Sequence, residues 1–101
     1  MCWVGIEFAS RDLEKCAQET RRAIRQWGAA VGDKYVQRVA TIAQAPTFDM
    51  LFKLRFLRLH PLSGERKGQF ALTLHDRWRL IISKVSDKVV RIEEVTNHYG
   101  D

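Results

Sequence analysis

The chain reads as an α+β protein, with two helices packed on one face of a mostly antiparallel four-stranded sheet, in the order β-α-α-β-β-β. Two observations predict this. Apolar residues recur at three- and four-residue steps from Leu13 to Ala43, and from Phe70 onward they alternate one by one. Between the two regimes lies a stretch, residues 58–69, that carries a proline, two glycines and a histidine and suits no regular element. At 101 residues the chain supports one core and is read as a single domain, 1–101.

The elements follow in order. Val4, Ile6 and Phe8 alternate with Gly5 and Glu7, the period of a half-buried strand. Ser10 offers an N-cap oxygen, and Asp12 and Glu14 put negative charge in the first helical turn. Leu13, Cys16, Ala17, Thr20, Ile24 and Trp27 then define one apolar face of a single helix that stops at Gly28. Arg21, Arg22 and Arg25 near its C-terminal end suit the helix dipole and a solvated surface. Val31, Tyr35, Val36, Val39, Ile42 and Ala43 mark a second helix that must end before Pro46, so the two form an αα-hairpin. Thr47 caps one further turn through Phe48, Met50, Leu51 and Leu54.

In the second half, Pro61 biases His60 towards extended geometry, and Gly64 and Gly68 allow a tight cationic loop before a strand near Gln69. Phe70, Leu72 and Leu74 point one way. His75-Asp76 makes a hairpin turn, and Trp78, Leu80 and Ile82 face inward on the next strand. Ser86-Asp87 makes a second turn, followed by a last strand from Lys88 to Thr96 with Val90 and Ile92 inward. The helices cover one sheet face and leave the other available.

Charge is unevenly spread. Residues 53–92 carry 10 basic and 3 acidic groups, against 7 and 6 in residues 1–52 and 3 acidic groups alone in residues 93–101. A one-sided basic field favours polyanions, nucleic acid first and an acidic protein segment second. No basic-then-apolar leader is visible, and no apolar run approaches the ~18 residues needed to span a bilayer, so no membrane role and a cytoplasmic location are expected. Cys2 and Cys16 make no disulfide framework, and Cys16 sits on the apolar stripe as a buried thiol. His60, His75 and His98 lack metal-ligand spacing, and no nucleotide-loop, zincin or nucleophile-elbow motif occurs, so no metal or cofactor is expected.

Arg77 and Arg79 alternate with Trp78 and are therefore expected on the open sheet face, with Arg66 and Lys67 on the loop feeding the neighbouring strand. Arginine matches phosphate with a planar fork and lysine adds a point charge. His60 and His98 bring two imidazoles towards the same end, with Tyr99 beside the second. Such a set can cleave RNA without a metal: one group takes the 2′-OH proton, cations stabilise charge on phosphorus, and an acid protonates the 5′-oxygen. Residue types alone favour a solvated basic surface with structural histidines over such cleavage.

The run Leu59-His60-Pro61-Leu62-Ser63-Gly64-Glu65-Arg66-Lys67-Gly68-Gln69-Phe70, then Trp78-Arg79-Leu80-Ile81, then Glu94-Val95-Thr96-Asn97-His98-Tyr99, resembles toxins of the RelE/ParE superfamily, most closely the HigB, or "plasmid maintenance killer", branch. The resemblance covers nearly the whole chain. It implies a RelE-like fold and a toxin of a type II toxin–antitoxin system: a ribosome-dependent mRNA endoribonuclease, or mRNA interferase, neutralised by an antitoxin encoded beside it. The implied partners are that antitoxin, a small helix-turn-helix protein that can form a hetero-oligomer with the toxin, and the ribosome with its mRNA. The family's loop histidine matches His60, and its aromatic-Arg-Leu arginine matches Arg79. A lysine common before the loop glycine is Ser63 here, and Lys67 can supply that charge. A cation of some members falls at His75 or Arg77, according to how the turn is aligned. The usual Asp-Tyr-His ending is here Asn97-His98-Tyr99, so proton roles can be reassigned. The implied catalytic set is His60, Lys67, Arg79, His98 and Tyr99, and the implied RNA contacts are Arg58, Arg66, Lys67, His75 and Arg77.

Two other functions fit the same residues. A ParE-like toxin binds DNA gyrase and needs no proton-transfer groups. A basic antitoxin-binding module without catalysis would be compatible with the altered ending.

Overall fold

The alternation at the start of the chain builds strand β1, Gly5–Phe8, with Ile6 and Phe8 turned to the core and Gly5 and Glu7 exposed. The computed structural model describes residues 4–97. Helix α1, Arg11–Gln18, opens as expected: the Leu13 N–H donates to Ser10 Oγ at 3.2 Å, and Asp12 and Glu14 lie in the first turn. Leu13 and Cys16 are buried. Burial and then the Asp12 carboxylate push the Cys16 thiol above its ordinary value.

The single first helix is not found. Glu19 is extended (φ −131°, ψ 107°), and the chain starts again as α2, Thr20–Trp27. The cause lies in the packing. On α2 it is Ala23 that is fully buried, while Ile24 is 36% exposed. A Cβ on Gly32 would stand 2.6 Å from the carbonyl carbon and oxygen of Ala23, so the two backbones nearly touch there. The break at Glu19 turns α2 so that its smallest residue meets that glycine. Gly28 ends α2 with φ 92°, its N–H donating to Ile24 O, and α3, Ala29–Gln44, follows at once. Val31, Tyr35, Val39 and Ile42 form its buried stripe, and the Tyr35 hydroxyl donates to Leu13 O at 2.8 Å.

The turn after Pro46 is a 3-10 helix, Phe48–Lys53, followed by a shorter one, Arg55–Leu57. Thr47 precedes it without a side-chain cap; its carbonyl accepts from Met50 N–H instead. Among the described residues the sheet has five strands, not four. The extended piece at residue 60 pairs as a short edge strand β2, His60–Pro61, beside β3, Gln69–His75. β4 is Trp78–Ser86 and β5 is Val89–Thr96, and the order across the sheet is β1-β5-β4-β3-β2. All pairings are antiparallel except β1 with β5, which run parallel with Gly5 opposite Val89.

Both hairpin turns fall one residue later than the alternation alone places them, at Asp76-Arg77 and Asp87-Lys88. An irregularity between Thr73 and His75 keeps His75 in the ladder opposite Trp78. Asp76 takes a left-handed φ of 50°, which Asp tolerates better than most residues. Leu72, Leu80, Ile82, Val90 and Ile92 are fully buried against the helices; each such side chain contributes about 1.5–3 kcal/mol of burial free energy. Among the described residues no helix is long and apolar enough to cross a membrane.

Candidate active site and nucleic-acid interface

Register defines what shares the face opposite the helices. Residues directly opposite on neighbouring strands point the same way. His60 stands opposite Ala71, Ala71 opposite Ile81, and Ile81 opposite Glu94, forming one row across four strands. The next row holds Thr73, Arg79 and Thr96. His60 and Arg79 therefore lie on one face, two strands and two residues apart, or roughly 12 Å between Cα atoms from ordinary strand spacing.

His60 is oriented by backbone. Arg58 adopts a left-handed conformation (φ 52°, ψ 43°) at the end of the second 3-10 helix, and its carbonyl lies 3.0 Å from His60 Nδ1. A carbonyl only accepts, so Nδ1 carries the hydrogen. In the neutral ring the lone pair is then on Nε2, which makes that nitrogen the basic one. Arg79 is oriented at the hairpin end: its Nη1 donates to Asp76 O at 2.5 Å and to Trp78 O at 3.0 Å. The left-handed turn at Asp76 presents that carbonyl.

Arg77 is not on this face. It sits in the Asp76-Arg77 turn and is exposed, so the alternation that paired it with Arg79 does not reach it. His75 is exposed beside it, with Nε2 3.3 Å from Asp76 Oδ2. His75, Asp76, Arg77, Trp78, Val31 and Asn97 line an open depression of about 480 Å³ at the end of the sheet. Arg58 and Lys67 are exposed. Lys67 ends the short 3-10 turn Gly64–Arg66, its N–H bonded to Gly64 O, two residues before β3 begins. His98 and Tyr99 lie outside the described residues; by sequence they follow Thr96, which stands opposite Arg79.

The open face is less open than its sequence implies. Ala71 and Ile81 are fully buried although they point away from the helices. Arg66 reaches Glu94, the neighbour of Ile81 in that row, in a close ion pair, and its Nη1 donates to Gln69 Oε1 at 3.2 Å. Glu94 is not evident from the sequence, because acidic residues near a chain's end read as solvated charge. Its one signal is its place in the alternating strand opposite an isoleucine. Ser83, Glu93 and Arg91 continue the face as a polar cluster, with Ser83 Oγ donating to Glu93 Oε2 at 2.6 Å and Arg91 3.6 Å from the same carboxylate. Arg38 on α3 is a further cation that the sequence does not single out. Its Nε donates to Thr73 O at 3.3 Å and its guanidinium stacks 5.0 Å from the Phe56 ring, and burial lowers its pKa.

No family model matches the chain, and no curated protein matches it. Solved structures do. YafQ from E. coli strain BL21(DE3) aligns at 21% identity and a TM-score of 0.54 over 91% of this chain and 90% of that one. A chain of the E. coli DinJ-YafQ toxin–antitoxin complex aligns at 21% identity and a TM-score of 0.59 over 97% of this chain and 99% of that one. The likeness is end to end, and the chain has the RelE-like α+β fold that its sequence predicts, with a fifth, two-residue strand at the edge.

Proposed function

We propose that this protein is the toxin of a type II toxin–antitoxin system, a ribosome-dependent mRNA endoribonuclease that cuts through the RNA 2′-OH. The observation that carries the reading is the pair His60 and Arg79: an imidazole with Nε2 as its basic nitrogen, on the same sheet face as a guanidinium oriented by main-chain carbonyls. A fold shared with YafQ, solved in a toxin–antitoxin complex, supports it. The loop run from Leu59 to Phe70, rather than the fold, is what favours the HigB branch.

His60 Nε2 accepts the 2′-OH proton as that oxygen attacks phosphorus. The P–O5′ bond breaks, and an acid protonates the departing 5′-oxygen, leaving a 2′,3′-cyclic phosphate. His98 is the acid in this reading, supported by Tyr99. Arg79 and Lys67 stabilise charge on the phosphorane, and Arg58, His75 and Arg77 contact flanking phosphates. The protein works in the cytoplasm with the ribosome and its mRNA, and an antitoxin rich in acidic residues covers the basic face.

The test is single-turnover cleavage on programmed ribosomes, with primer-extension mapping of the cuts. His60→Ala and His98→Ala, each checked for folding, are expected to lose roughly 10²- to 10⁴-fold in the chemical step while still binding. Wild-type rates in both variants would overturn the assignment. Toxicity without RNA cuts but with blocked supercoiling would move the protein to the gyrase inhibitors.

A further inference from the structure

Arg66 has the composition of a phosphate contact and the position of something else. Its guanidinium is shared between Glu94 and Gln69, and its side chain is only 30% exposed. Glu94 lies on β5, whereas Arg66 belongs to the loop between β2 and β3, at the far edge of the sheet. To meet Glu94, the arginine must cross the face over the row that holds Ala71 and Ile81. These two apolar residues are fully buried on the face that carries no helix. The aliphatic stem of an arginine covers apolar surface well while its head finds a charge.

We propose that Glu94 is a positioning residue: through Arg66 it straps the 62–68 loop down across the sheet and so sets where Lys67 stands relative to His60 and Arg79. The catalytic consequence rests on the RNA-cleavage reading given above, but the strap itself does not. Lys67 follows Arg66 directly, and among the described residues the loop is otherwise held by few bonds. Leu62 N–H donates to Gln69 O, and Arg66 and Lys67 N–H groups donate to Ser63 O and Gly64 O within the loop. None of those bonds fixes the loop against β4 or β5. Glu94 supplies that constraint. It also occupies Arg66, so the phosphate-binding charge of the loop falls on Lys67 alone.

A pair that stays partly exposed adds little to global stability, so the effect must be sought locally. Amide hydrogen exchange over residues 62–68 and single-turnover cleavage are to be measured in wild type, Glu94→Gln, Arg66→Glu and the exchanged pair Arg66→Glu/Glu94→Arg. Loop exchange in Glu94→Gln is expected to quicken by roughly 1.5- to 5-fold, the size of one such pair, with the thermal midpoint little changed. Cleavage at saturating ribosomes should fall on the order of tenfold, as for a displaced catalytic group. The exchanged pair should restore much of both. Arg66→Glu should change the salt slope of RNA binding no more than Glu94→Gln does, since Arg66 is not a phosphate contact. Unchanged loop exchange in Glu94→Gln would overturn the strap. Faster exchange with wild-type cleavage would overturn the positioning role. Faster exchange in Glu94→Gln, with a wild-type protein that cuts no RNA, would support the strap and remove only the functional reading beneath it.

Discussion

Arg58 serves His60 through its carbonyl, while its side chain is exposed. The left-handed φ of 52° costs a residue with a Cβ, and glycine adopts it freely. Arg58→Gly should therefore leave urea stability within about 1 kcal/mol of wild type, on the stabilising side. If the side chain contacts phosphate, the same variant should lower the salt slope of RNA binding by about one; an unchanged slope would confine Arg58 to its backbone role. Tyr35 is the other residue whose polar atom is set by burial. Its hydroxyl donates to Leu13 O, and desolvation first, then nearby Cys16 and Asp12, hold the phenol well above its ordinary pKa. A raised folded value keeps its stabilising effect below the unfolded pKa and loses it as pH rises. Stability should thus begin to decline above about pH 10 from this group. Tyr35→Phe should weaken that decline in alkaline urea titrations, at a cost of about 0.5–1.5 kcal/mol near neutrality for the lost bond.

The helices show which parts of the fold can be read from local pattern. Ser10, Gly28 and Pro46 signal their boundaries through cap chemistry and backbone restriction, and α3 follows its stripe. The break at Glu19 has no such signal, because it is imposed by the contact of Ala23 with Gly32 across two helices. Gly32→Ala should force these helices apart and cost about 1–3 kcal/mol, seen as a lower urea midpoint with an unchanged slope. Gly28→Ala has open space around it, but φ 92° with ψ 164° is a region essentially closed to residues with a Cβ, so it should cost a comparable ~1–3 kcal/mol through backbone strain alone. In the sheet, period two is enough to identify Phe70 to Ile92 as strands and to orient Leu72, Leu80 and Ile82. It does not fix the turns, since a one-residue irregularity after Thr73 moves Arg77 out of the ladder and away from Arg79. The His60–Arg79 face is legible because it follows from strand alternation and the loop motif. The Arg66–Glu94 crossing is not, because it joins residues whose proximity exists only once four strands are in register.

For the molecule as a whole, charge asymmetry governs encounters more than stability. The excess of cations in residues 53–92 should speed association with acidic partners at low salt, and stopped-flow rates for an acidic antitoxin should fall steeply as salt rises, with dissociation less affected. Rates that ignore salt would place the partner's contact on the apolar surfaces instead. The parallel pairing of β1 with β5 bears on how the protein comes into being. β1 is made first among the strands, yet Gly5 finds Val89 only after every other described element has been synthesised. Contacts so distant in sequence close late. A nascent chain on its own ribosome therefore carries the loop histidine and the basic loop before β5 has delivered Glu94 and Thr96 to their rows. The surface proposed for RNA cutting is thus complete only once β5 has joined the sheet.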